Sequence, residues 1–330
     1  MIHGGSLDEA VGLYGGNRYD WLDLSTGVNP NHWPIPRLAD NIWSTLPDSD
    51  AYSKAESAVR KAYSVPDRAA ISLASGTQSH IQWIPFLFKP QAVAVVNFTY
   101  QEHISCWRRA GHKVYVTEGL ESAERTANII IVVNPNNPDG RQIHRDILKD
   151  LVHRLGAKGG LLIVDEAFCD VTPDISIIGE TGLDGLLVLR SLGKFYGLAG
   201  VRFGSVISFK RMVMRLNEGL GYWSVSGPAL AIAAAALVDQ KWRFRTLKHL
   251  SYWRIKFEAL LLKKGYRIVG GTDLFILVEI KNASEIFIRL VRYQILVRSF
   301  DAKPNWIRFG IPQSNQSLDR LEKALTIIED

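Results

Sequence analysis

Four short stretches of the chain, residues 92–96, 128–133, 160–164 and 186–189, are apolar almost without interruption. A strand with one wet face alternates apolar and polar residues, so runs like these are buried on both faces. Residues 69–73, 113–116 and 203–208 read as further strands. Between the strands lie segments with apolar residues at helical spacing, at 50–63, 79–88, 101–109 and 145–155. Strand and helix in turn predict an α/β fold, a large domain with a mostly parallel sheet covered by helices.

The pattern changes towards the C-terminus. Residues 227–262 read as helical, with a break near Asp239. Strands follow at 266–269, 274–280, 295–299 and 306–310, and helices at 284–293 and 318–328. That pattern predicts a smaller α+β domain. Residues 1–45 are rich in Gly, Asn, Pro and Trp, with a short helix at 7–13, and read as an extended arm that packs with the smaller domain. The expected division is an arm at 1–45, a large domain at 46–240 and a small one at 241–330.

The 330 residues suffice for two domains with a large core. A hydrophobic share of 47% and a charged share of 22% are those of a soluble globular protein. Cys106 and Cys169 give neither a disulfide framework nor metal-ligand spacing, so no metal and a reducing compartment are expected. The start has no basic and apolar leader, and the apolar stretch 229–238 is too short to span a bilayer. A cytoplasmic protein without a membrane partner is the expectation. The net charge is +6, with a local excess at Lys241, Arg243, Arg245 and Lys248. Those four read as a solvated helix face rather than a nucleic-acid surface, and the mild basicity suits an enzyme with an anionic substrate.

In parallel sheets, ligands bind at the carboxyl ends of the strands. The strand ends here carry, in order, Gly76-Thr77-Gln78, Tyr100, Asn137, Asp165 and Lys194. Lys194 sits among small and apolar neighbours, three residues after Ser191 and eight before Arg202. Lost hydration disfavours its ammonium form and makes the amine a nucleophile suited to an aldehyde. Ser191 and Arg202 suit an anion beside it. Gly76 and Thr77 open a helix and offer backbone N–H groups to a phosphate. Tyr100 suits stacking on a flat ring, and Asn137 donation to a ring hydroxylate. Asp165 suits a protonated ring nitrogen, keeping the ring an electron sink. Each has a plainer reading: a turn, a helix cap, a core aromatic, a surface lysine. Their joint order on successive strand ends favours one site for a phosphorylated pyridine aldehyde.

Asn134-Pro135-Asn136-Asn137-Pro138-Asp139-Gly140, Asp165-Glu166-Ala167-Phe168 and Ser191-Leu192-Gly193-Lys194 with Arg202 resemble the signature of fold-type I pyridoxal-phosphate enzymes. Their order and spacing are similar to the histidinol-phosphate aminotransferase branch, over nearly the whole chain. The resemblance implies pyridoxal 5′-phosphate as cofactor, bound by the large domain. It makes Lys194 the Schiff-base lysine, Asp165 the ring-nitrogen partner, Asn137 the donor to O3′ and Tyr100 the stacking ring. Gly76, Thr77, Ser191 and Arg202 would hold the cofactor phosphate. Tyr52 would reach the phosphate of a neighbouring subunit, which implies a homodimer with shared active sites.

His3-Gly4-Gly5, the segment from Asp23 to Pro30, Phe168, Lys194-Phe195-Tyr196 and Trp223-Ser224-Val225 resemble the threonine-phosphate decarboxylases of cobalamin synthesis more than the aminotransferases. By that resemblance Arg308 takes a substrate α-carboxylate as a bidentate fork. Arg298, with His3, takes a substrate phosphate, and Asn137 lies at the substrate as well. The implied reaction turns L-threonine O-3-phosphate into (R)-1-amino-2-propanol O-2-phosphate. The cofactor residues alone leave transamination of histidinol phosphate open. Two departures stand out: Gly193 replaces a serine or threonine before the lysine, and residues 74–78 lack the acidic residue common after the phosphate turn.

Overall fold

The computed structural model describes residues 4–329. Its contacts divide the chain into two compact units: unit 1 runs up to Asn31, takes in Pro138–Gly140 and resumes at Trp242, and unit 2 is the rest.

Unit 1 opens with α1 (Leu7–Tyr14) and β1 (Leu22–Asp23). Unit 2 then supplies α2 (Asn41–Ser44), α3 (Ser49–Ala62), β2 (Ala70–Ala74), α4 (Thr77–Trp83), β3 (Ala92–Val96) and α5 (Gln101–Arg109). It continues through β4 (Lys113–Thr117), α6 (Leu120–Thr126), β5 (Ile129–Val133), α7 (Arg145–Gly156), β6 (Leu161–Asp165) and β7 (Leu186–Ser191). It ends with β8 (Gly204–Ser208), α8 (Lys210–Leu220) and α9 (Gly227–Val238).

The seven strands lie in the order β2-β8-β7-β6-β5-β3-β4. The pairs from β7 to β4 are parallel, and β8 is antiparallel to both β7 and β2. The link from β7 to β8 has no crossover α-helix, so the chain returns in the opposite direction. Chain order reverses between β3 and β5, which opens a crevice at the carboxyl ends of those strands.

Burial explains the apolar runs. Alternate residues of the central strands, such as Val93, Val95, Ile129, Ile131, Ile163 and Leu189, share one cluster with Ile81, Trp107, Met212 and Leu216 of α4, α5 and α8. The intervening Ile130 and Val132 are buried as well, so the sheet has two dry faces. Each such side chain contributes about 1.5–3 kcal/mol of burial. In α7, Leu148, Leu151, Val152 and Leu155 form one buried stripe, while the His144 ring accepts from the Asp146 N–H at the helix entry.

Several elements differ from the sequence expectation. The helix expected at 79–88 begins at Thr77 and gives way to a 3-10 turn at Ile84–Leu87, because Pro85 has no N–H to continue the α-helix. Helices α2, α6 and α8 add to those expected. The break near Asp239 separates α9 from a second helix, α10 (Gln240–Lys263).

Most of α10 belongs to unit 1, followed by β9 (Arg267–Thr272), β10 (Phe275–Glu279), α11 (Ala283–Arg292), β11 (Ile295–Leu296), β12 (Arg298–Ser299), β13 (Trp306–Gly310) and α12 (Asn315–Glu329). The antiparallel sheet β12-β13-β10-β9 packs Ile276, Val278, Ile307 and Phe309 against Phe257, Leu261, Leu321 and Leu325 of the helices. The single strand expected at 295–299 is two short ones. β11 pairs in parallel with β1, tying the N-terminal segment into unit 1, and β12 pairs with β13. Among the described residues no helix is long and apolar enough to cross a membrane. Cys106 and Cys169 are free and buried.

Candidate active site

Gly76, Thr77, Tyr100, Asn137, Asp165, Ser191, Lys194 and Arg202 all line one cavity of unit 2, together with Gln78 and Phe168. Its walls are the ends of β5, β6 and β7 and the segments that follow β2, β3, β5, β6 and β7. Tyr52 lies elsewhere on unit 2: its hydroxyl accepts from the Val225 N–H at 3.1 Å. Arg298 and Arg308 belong to unit 1, and His3 lies outside the described residues.

Where β2 ends, Gly76 has φ +77° and caps α4. A Cβ there would lie 2.6 Å from Arg202 Nη2, so the guanidinium packs directly on the turn. Arg202 is itself left-handed, with φ +55°, which directs its side chain out of the 3-10 turn before it. Ser191 ends β7, and its Oγ accepts from the Gly193 N–H at 3.2 Å. Gly204 closes the arrangement: a Cβ there would stand 2.3 Å from the Thr77 nitrogen and 2.6 Å from the Gly76 carbonyl carbon. Both neighbours are backbone, so neither rotates away. Gly204→Ala is therefore expected to cost about 1–3 kcal/mol as overpacking, read as a lower melting temperature. An unchanged melt would mean that the turn yields freely.

Asp165 is the one acidic side chain among the described residues lining the cavity, and it is only 4% exposed. Its Oδ1 accepts from the Ala167 N–H at 2.9 Å, and its Oδ2 lies 2.9 Å from Nε2 of buried His103. A carboxylate only accepts, so His103 carries a proton on Nε2. The helix-cap reading of Asp165 does not hold, because Asp165 is the last residue of β6 and caps no helix. Lys194 is half-buried among Leu192, Phe195 and Tyr196, all three buried, and its Nζ lies 5.5 Å from the centre of the Phe168 ring. Tyr100, immediately before α5, donates its hydroxyl to Gln78 Oε1 at 3.1 Å. Burial, with Glu102 nearby, pushes its ionisation up to about 12, so the phenol stays neutral.

In unit 1, Arg298 of β12 and Arg308 of β13 face each other in register. Arg308 is 7% exposed, and its Nη2 donates to the Ser25 carbonyl at 2.9 Å. Burial and the Arg298 charge lower Arg308 to about 10, so it stays protonated at neutral pH. Burial also lowers Arg298. The Ser25 hydroxyl donates to Asp23 Oδ1 at 2.6 Å and accepts from the Gly5 N–H at 2.8 Å. A Cβ on Gly4 would lie 2.8 Å from the Ser25 carbonyl oxygen, so the N-terminal segment runs close along Ser25 and towards Arg308.

Residues 19–328 match the family described as aminotransferase class I and II. The chain belongs to that family. A threonine-phosphate decarboxylase from Sinorhizobium sp. is 38% identical, with 100% of this chain and 98% of that protein covered. A second, from Pseudomonas aeruginosa PAO1, is 37% identical over 98% of this chain and 97% of its own length. Histidinol-phosphate aminotransferases match at lower identity or over less of the chain. Among solved structures, the histidinol-phosphate aminotransferase of Sinorhizobium meliloti in complex with pyridoxal-5′-phosphate has a TM-score of 0.86 at 19% identity, covering 99% of this chain and 95% of that one. The fold is that of fold-type I enzymes.

Three features of the site are not marked by the sequence reading: His103, which lies behind Asp165, Gly204, which packs against the Gly76-Thr77 turn, and the side chain of Gln78, which lines the cavity. His103 carries the weakest signal, its position three residues after Tyr100, which brings it one helical turn further along α5. Gly204 and Gln78 take their meaning from neighbours distant in the chain.

Proposed function

We propose that this chain decarboxylates L-threonine O-3-phosphate with pyridoxal 5′-phosphate, giving (R)-1-amino-2-propanol O-2-phosphate and carbon dioxide. The observation that carries the choice of reaction is the full-length identity to two relatives named threonine-phosphate decarboxylase. The cavity's chemistry fits the cofactor: a lysine, a buried carboxylate, an aromatic ring and an arginine packed on a glycine turn line one space. Lys194 is the residue for the aldehyde, Asp165 for the ring nitrogen, Asn137 for the ring oxygen and Tyr100 for the ring face. Gly76, Thr77, Ser191 and Arg202 are the residues for the phosphate. Bound there, pyridoxal phosphate supplies an aldehyde for an amine and a ring that takes up the electrons released at the substrate Cα.

The chain's own residues do the rest. Asp165 keeps a proton on the ring nitrogen, and His103 holds the carboxylate in position. Arg308 takes the substrate carboxylate as a fork, and Arg298, with His3, its phosphate. Holding both ends fixes how the substrate is turned about Cα, and that turn selects the bond to the carboxylate over the bond to hydrogen. Lys194 Nζ or water then supplies the proton that takes the place of the departed carboxylate at Cα. The reading includes a cytoplasmic homodimer serving cobalamin synthesis, in which Tyr52 reaches the partner's cofactor phosphate. The free thiols of Cys106 and Cys169 suit a reducing compartment.

Incubation with threonine phosphate tests the reaction. Carbon dioxide released without any 2-oxoglutarate supports it. An absolute need for 2-oxoglutarate, with glutamate formed, would establish the aminotransferase reading instead. Arg298→Ala is expected to raise KM for threonine phosphate by about 30-fold or more, the loss of a charge-assisted contact. Cofactor affinity, measured by titration, stays within about twofold, since charged contacts are lost only at the substrate. Equal losses in both would count against a substrate role.

A further inference from the structure

We infer that Gln78 and Glu102 are positioning residues that hold the Tyr100 ring against the cofactor face. The inference rests on the proposed pyridoxal phosphate site. Tyr100 is 39% exposed, so packing alone does not fix its ring. Its tip is held instead: the hydroxyl donates to Gln78 Oε1 at 3.1 Å, and Gln78 Nε2 donates to Glu102 Oε2 at 2.7 Å.

The direction of this relay is set by chemistry. Glu102 can only accept, so the NH2 of the Gln78 amide faces it and the amide oxygen faces Tyr100. The phenol must then be the donor, which requires it to stay protonated. The bond to the carboxylate is charge-assisted and is the stronger link of the two. Glu102 is steadied in turn by Cys106, one turn further along α5, whose Sγ donates to the same Oε2 at 3.7 Å.

The relay also joins two helices. Gln78 leaves the first turn of α4, beside Gly76 and Thr77 of the proposed phosphate turn. Glu102 and His103 leave the first turn of α5, one towards Gln78 and the other towards Asp165. The ring face and the ring-nitrogen carboxylate are thus held from one turn of one helix.

The relay gives a physical role to the missing acid after the phosphate turn. A carboxylate at position 78 would sit against Glu102, where two like charges cannot both remain ionised without penalty.

The test is a double-mutant cycle on the apoenzyme, titrated with pyridoxal phosphate by fluorescence quenching. Gln78→Leu and Tyr100→Phe are each expected to weaken binding by about threefold to tenfold, the worth of one hydrogen bond. Each should also reduce the visible circular dichroism of the bound cofactor. The double variant should lose at most about twofold beyond the weaker-binding single variant, because both remove the same link. Losses that multiply would overturn the inference while leaving the cofactor reading intact. Failure of the wild-type chain to bind pyridoxal phosphate would overturn both. Gln78→Glu keeps the test decisive should Gln78→Leu fold poorly. One proton shared with Glu102 preserves the relay at low pH and is lost as pH rises, so cofactor affinity should fall with rising pH. A flat profile would count against the relay.

Discussion

Lys194→Ala is expected to fold as the wild type does and to lose turnover of threonine phosphate by roughly four powers of ten or more, as when a nucleophile is removed from a catalytic unit. Lys194 lies in the segment between β7 and β8, outside any helix or strand, and is half-buried, so its truncation leaves no large cavity. Borohydride treatment followed by peptide mapping should find the cofactor fixed at Lys194 in the wild type and nowhere in the variant. Lys194→Arg separates two explanations. It keeps the positive charge near the Phe168 ring but has no amine that deprotonates at any ordinary pH. If charge were the requirement, arginine would restore activity; if a nucleophilic amine is required, it will be as inactive as alanine. Turnover by either variant near the wild-type rate would remove Lys194 from the mechanism.

What the sequence makes legible follows from which physical signals are local. β5 is legible because Ile129–Val133 is all β-branched and stops at a turn rich in Asn and Pro, which favours a strand buried on both faces over a helix segment with a run of similar length. The direction of β8 is not legible, because burial says nothing about strand polarity; that depends on the link after Ser191 lacking a crossover helix. Helix α8 is poorly marked, with Met212, Val213 and Leu216 its only buried residues among exposed charges. The same division holds in the cavity. Gly76, Asn137, Asp165 and Lys194 sit in motifs at strand ends, where a turn or an isolated charge is visible in a few residues. His103 reads from sequence as one more core residue of α5; only Asp165, 62 positions away in the chain, gives it a role. Gln78 reads from sequence only as the end of the Gly76-Thr77-Gln78 turn; Glu102, 24 positions away, gives its side chain a role once the fold sets one beside the other. Arg298 and Arg308 face each other because a short loop returns the chain from β12 into β13, a register that neither strand's composition encodes.

Asp165→Asn is expected to separate attachment of the cofactor from its use. Asparagine keeps the shape of the side chain in a site that is 4% exposed, and its Oδ1 can still accept from the Ala167 N–H. Its Nδ2 then faces His103, which adjusts by carrying its proton on Nδ1. The fold is kept, and what is lost is the negative charge that holds a proton on the ring nitrogen. Removing one preorganised electrostatic contact from a reacting group costs about 100-fold to 1,000-fold in turnover, and a fall of that size is expected. Borohydride should still fix the cofactor at Lys194, because that step needs the amine and not the carboxylate. Asp165→Ala would be the poorer test. It would leave His103 Nε2 and the Ala167 N–H as buried donors without an acceptor, at about 1–3 kcal/mol each, and so confuse stability with chemistry. Replacing His103 by glutamine keeps a donor for Asp165 but not its geometry, and a smaller loss of about tenfold or more is expected, as for partners that orient a reacting group. The order of the two effects is the discriminating result. If His103→Gln cost more than Asp165→Asn, the histidine would be the group acting on the ring, and the carboxylate merely its support.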